Sequence, residues 1–192
     1  MTTGFFFCIM TKGDVKMNQD IMDSLRSTIE DFALPRYEQI PDIGLYLEQI
    51  TKYISEYAEA LGQPPLTGSM VSNYVKKGII KSPVKKQYDR DQIAHLMFIT
   101  LAKSILSLDD LQKYILLQQR TYAVSVAYDY FCRELEAALH VVFDPSSQET
   151  RISPASSAEK TILRNIVITI AHKIYLEKYI SAVTEAHGRD TQ

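Results

Sequence analysis

"LTGSMVSNYVKKGIIKSPVKKQYDRDQIAHL", residues 66–96, gathers positive charge in a chain that is otherwise slightly acidic. Residues 66–106 hold seven Lys/Arg against two acids, a net +5 inside a 192-residue chain of net charge −2. Five basic and ten acidic residues precede that window, and nine and eleven follow it. A local surplus of this size can steer an anionic partner although the whole chain would not. Within the stretch, Thr67 is placed to cap a short helix, "GSMVSNYVKK", closed by Gly78. Ser69, Ser72, Asn73 and Lys76 share one side at helical spacing, while Met70, Val71, Tyr74 and Val75 occupy the other. Short donors and acceptors with a long cation behind them suit a groove-reading face. "IIKSPVKKQYD" has β-branched residues, a proline and three lysines but no helical period; it reads as two short strands or an extended loop, in effect a wing. Asp89 and Gln92 form a capping box that opens a helix running to about Leu106, and Ser107 with Asp110 repeats the device for the next.

The flanks read as helix on both sides. Residues 19–33 carry Ile21, Met22, Leu25, Ile29 and Phe32 at three- and four-residue steps, and Pro35 ends that pattern. "LPRYEQIPDIG" holds two prolines and makes a link. Residues 45–62 restore the period, with Gly62 as C-terminal cap before Pro64-Pro65. From Val124 to Val142 apolar residues recur at spacings of four and three, a short heptad-like seam, and residues 157–183 form a last helix with Ile162, Ile166, Ile170 and Ile174 in line. Ile168 and Leu176 lie off that line, so this helix is expected to bury more than one side, in a bundle core or against a second subunit. Residues 1–16 read as a disordered tail or a mis-assigned start, Met10 and Met17 being alternatives to Met1. The apolar run at 5–10 is too short for a membrane span. Two cysteines outside any ligand spacing fit a reducing cytosol.

Taken in order, "YISEYAEALG", "MVSNYVKKGII" and "YDRDQIAHLMFITLAKSILSLDDLQKYI" resemble a MerR-type winged helix-turn-helix. More closely, "LPRYEQIPDIGLYLEQI", "LTGSMVSNYVKKGII" and "SPVKKQYDRDQIAHL" resemble a bacterial group known only as domain of unknown function 1836. The resemblance implies a mainly α chain: a MerR-like winged helix-turn-helix at 17–120, followed by a helical C-terminal region at 121–192 for dimerisation or sensing. It sets the second helix and the wing against double-stranded DNA. Ser69, Ser72, Asn73, Lys76 and Lys77 then face the groove, with Asn73 suited to an adenine edge. Lys81, Lys85, Lys86 and Arg90 neutralise phosphates. Tyr74 is expected in the core; Tyr88 fits either packing under the wing or a phosphate hydrogen bond.

The function expected is a sequence-specific transcriptional regulator, cytoplasmic and homodimeric. Two readings compete with it. The lysines could form an ordinary solvated surface, or the chain could be a winged-helix protein-interaction module without DNA binding. The absence of arginine from the second helix favours the latter. Tyr122, Tyr128, Tyr130 and Phe131 fit core packing first, and a small-molecule effector pocket second. Enzyme chemistry is not expected: the four histidines are isolated, and no phosphate loop, nucleophile motif, metal set or cofactor motif is present.

Overall fold

The computed structural model describes residues 12–144 and 157–189. Its seven helices are α1 (Lys12–Ser27), α2 (Leu47–Ala60), α3 (Gly68–Lys76), α4 (Arg90–Ala102), α5 (Leu108–Gln119), α6 (Val124–Phe143) and α7 (Ala158–Arg189). Two short strands, β1 (Leu45–Tyr46) and β2 (Gln87–Tyr88), pair antiparallel with Leu45 opposite Tyr88 and Tyr46 opposite Gln87. The fold is therefore mainly α, as the composition implies. The expected tail at 1–16 lies outside the described residues up to position 11, and α1 already begins at Lys12.

α4 lies at the centre. Ile93, Ala94, Leu96, Met97, Ile99 and Leu101 are all buried, which takes in its whole circumference. A helix apolar all round has to be covered on every side, and α2, α6 and α7 supply the cover. One apolar cluster runs from Ile21 through Ile174 and joins residues on both sides of position 120. The seam on α6 is taken up within the chain: Tyr128, Phe131, Leu135 and Ala138 are buried there, and Phe131 meets Phe98 of α4 edge to face at 5.2 Å. Cys132 is fully buried beside them, its Sγ directed at the Pro35 carbonyl at 3.8 Å, and burial pushes its thiol up to about 12.

Two departures from the sequence expectation at helix boundaries have a local reason. α1 stops at Ser27 rather than 33, because the hydroxyls of Ser27 and Thr28 donate to the Ser24 and Leu25 carbonyls and close the last turn. Ile29 still enters the core, now from a turn, so its helical spacing misled. Leu45 and Tyr46 are strand rather than helix. Gly44, at φ 68°, turns the chain into the pairing with β2, and the Gln49 side chain accepts from the Tyr46 amide to start α2 one residue later.

α7 also buries one wide side only, through Leu163, Ile166, Val167, Ile170, Ala171 and Ile174, while Leu176 and Ile180 stand 56% and 62% exposed. Among the described residues, no helix is long and apolar enough to cross a membrane.

Candidate nucleic-acid interface

α3 is held by its two ends. The Thr67 hydroxyl accepts from the Met70 amide at 3.3 Å, satisfying one of the helix's free donors. At the other end Gly78 takes φ 70°, its amide donates to the Val75 carbonyl, and the Ile79 amide donates to the Tyr74 carbonyl at 2.9 Å. This paired closure satisfies the Tyr74 and Val75 carbonyls and brings Ile79 into the core. The same closure ends α2: Gly62 at φ 72° donates to Glu59, and Gln63 to Ala58. Between the two stops, the Leu66 amide donates to the buried Ser55 hydroxyl at 3.0 Å. Gln63 donates to Glu177 of α7 at 2.9 Å and accepts from Lys173. The turn that aims α3 is thus tied to both α2 and α7.

With Val71 and Tyr74 buried beneath it, α3 turns Ser69, Ser72, Asn73 and Lys76 to solvent. Ser72 donates to the Gly68 carbonyl at 2.8 Å and Ser69 bonds the Thr67 hydroxyl, so both hydroxyls keep a local partner. The Asn73 amide has no partner among the described residues, which leaves two donors and an acceptor facing outward.

The lysines that follow stand on a tight hairpin. Val84 and Gln87 exchange both backbone hydrogen bonds, at 3.1 and 2.9 Å, around Lys85 and Lys86. These two residues take φ 52° and 66°, a mirror-image turn that normally calls for Asn-Gly. The Gln92 amide anchors the base of the hairpin by donating to the Lys81 carbonyl at 2.8 Å, while its oxygen accepts from the Asp89 amide in the expected capping box. Lys76, Lys81, Lys85 and Lys86 are all exposed.

Two expected contact residues are engaged elsewhere, and a third, Lys77, stays exposed with one weak pair. Arg90 is drawn inward: Nη1 meets Glu38 at 2.7 Å, Nε donates to the Ile40 carbonyl at 3.0 Å, and the guanidinium lies 5.3 Å from the Tyr37 ring centre. That side chain, only 16% exposed, clamps the 36–42 segment onto α4 rather than standing ready for a phosphate. Tyr88 is buried on the inner face of the small sheet opposite Leu45, and burial raises its hydroxyl above the ordinary range. Packing accounts for it. Lys77 lies 3.9 Å from Asp109, both well exposed, a pair worth little.

One feature escaped the sequence reading. Tyr46 and Val84 sit on either side of Gln87 across the small sheet, on one face, and are 53% and 74% exposed beside the hairpin tip. The β-branched Val84 before Lys-Lys was the available signal. Among the described residues, no group of three or more His, Cys, Asp or Glu is arranged to hold a metal.

The profile of a family described as "Domain of unknown function (DUF1836)" matches residues 35–131, the stretch from the Arg90 clamp partners through α3, the hairpin and α4–α5 into α6. No curated protein and no solved structure matches the chain.

Proposed function

The chain belongs to the DUF1836 family, and from that premise we propose that it is a sequence-specific transcriptional regulator that binds double-stranded DNA through a MerR-like winged helix-turn-helix. The outward polar side of α3 carries the reading: Ser69, Ser72, Asn73 and Lys76 exposed together over a buried Val71–Tyr74 side. On this reading α3 lies in the major groove, Asn73 pairs with an adenine edge, and Lys76, Lys81, Lys85 and Lys86 hold phosphates. The winged helix works in the cytoplasm as a homodimer, two copies matching two half-sites. Because the α6 seam is occupied within the chain, the second copy meets Leu176 and Ile180, one turn apart on α7.

Four phosphate contacts give a log–log salt slope of roughly −3.6, at about 0.9 per contact. Fluorescence anisotropy on a mixed-sequence duplex across a salt series tests this. Wild type is expected near that slope, and Lys85→Ala/Lys86→Ala to lose roughly 1.8 of it. No binding by wild type, or binding indifferent to salt, overturns the proposal. Asn73→Ala is expected to keep the slope and to lose about 1–3 kcal/mol of discrimination on a selected duplex.

A second reading, a protein-interaction module on the same scaffold, is favoured by one observation: exposed Tyr46 and Val84 adjoin the lysines, while Arg90 is engaged inward. Under it, charge reversal at Lys76, Lys81 and Lys85 changes no DNA affinity, and an acidic protein is the partner recovered.

A further inference from the structure

We propose that Lys103, at the end of α4, is a phosphate-binding residue of the interface and holds the duplex strand on the flank of α3 away from Lys76. This role rests on the DNA-reading proposal and adds to it a cation from outside α3 and the hairpin.

Lys103 closes α4 at its C-terminal end. Its amide donates to the Ile99 carbonyl at 2.8 Å, directly after the buried Leu101 and Ala102. The core therefore fixes where the side chain starts. The residue is half-buried, and its ammonium donates to the Met70 thioether of α3 at 3.3 Å. A thioether is a weak, uncharged acceptor. Among the described residues no carboxylate pairs with this ammonium. The acids that follow are engaged elsewhere: Asp109 faces Lys77 at 3.9 Å, and Asp110 meets Lys113 at 3.0 Å. Burial alone lowers the affinity of the ammonium for its proton, and no neighbouring charge offsets it. Folding thus takes this cation part of the way out of water and supplies no anion in return, a cost that Lys173 avoids by meeting Glu177. Covering apolar surface needs only the stem of a lysine, whose head ordinarily reaches back to water. Here the head itself lies against α3.

Helical spacing sets what the head adjoins. Ser69 and Lys76 fall on one flank of Asn73, four residues before it and three after. Met70 and Lys77 fall on the other flank, three before and four after. A helix in the major groove has a phosphate backbone along each side. Lys76 faces one of these strands. On the other flank Lys77 stays near Asp109, and Lys103 arrives from α4 beside Met70. A phosphate there gives the ammonium, through a charge-assisted hydrogen bond, the partner that the fold withholds.

Fluorescence anisotropy of the full chain on a mixed-sequence duplex across a salt series tests this, together with urea unfolding of the same proteins. A fifth phosphate contact steepens the expected log–log slope from roughly −3.6 to roughly −4.5, and Lys103→Gln returns it to roughly −3.6. Lys103→Met, which keeps an apolar stem against Met70, is expected to bind with the slope of the Gln variant. Lys103→Arg keeps the charge and is expected to keep the wild-type slope. None of the three is expected to lower the urea midpoint, since Gln and Met relieve an unpaired charge and Arg retains it. An unchanged slope in Lys103→Gln and Lys103→Met overturns the contact and leaves the DNA reading standing. So does an Arg variant that loses as much slope as Gln, or a lowered midpoint with weaker binding at constant slope, the mark of a purely structural lysine. No duplex binding by wild type overturns the DNA reading and this contact together.

Discussion

Lys85 and Lys86 occupy left-handed backbone where Asn-Gly would sit without strain. Each such placement of a side chain with a Cβ costs roughly 1–2 kcal/mol. Strain of this kind persists where the residue itself is needed, and here that need would be positive charge at the apex of the hairpin. Lys85→Asn/Lys86→Gly is therefore expected to raise stability by about 1 kcal/mol in urea unfolding, while weakening duplex binding and flattening its salt slope. A fall in stability would mean that the apex is held by contacts rather than strained. At this scale the sequence revealed charge but not partners. Lys85 and Arg90 look alike as basic residues of one cluster. Glu38, which claims Arg90, lies 52 positions away, and nothing local announces it. Tyr88 was open between two roles because its burial depends on pairing with Leu45, a contact across the fold.

Helix ends were the most legible elements, since a cap is a contact among neighbours. Thr67, Asp89 with Gln92, and Ser107 all hold the amides that their spacing implied. β1 was not legible, because Leu45 falls in phase with the helix that follows and only its partner strand distinguishes the two states. The glycine stops carry the next prediction. A Cβ at Gly78 would come no nearer than 4.0 Å to Gln112, so space is not the obstacle; φ 70° is. Gly78→Ala is expected to cost about 1–2 kcal/mol by chemical denaturation, and Gly78→Asn distinctly less. Equal costs for both would point to packing instead of backbone conformation.

On the scale of the whole molecule, the sequence suggested a reader and an appended helical region, while the structure runs one apolar cluster through both. Periodicity marks which side of a helix is apolar and leaves open which helix will cover it. The pairing of Phe131 with Phe98 and the tie of Gln63 to α7 are contacts of that kind. Cys132 sits where these layers meet, and its position turns it into a clock. A thiol held so far above its ordinary range, with no exposed surface, offers a disulfide reagent no thiolate until the layers part. In Cys8→Ser, which leaves a single thiol, the colour released by such a reagent should lag that of the denatured chain by on the order of 10⁴-fold, for a domain stable by about 5 kcal/mol. Prompt labelling would mean that the layers breathe freely. The interior thus carries its own stopwatch for opening, readable without an engineered cysteine.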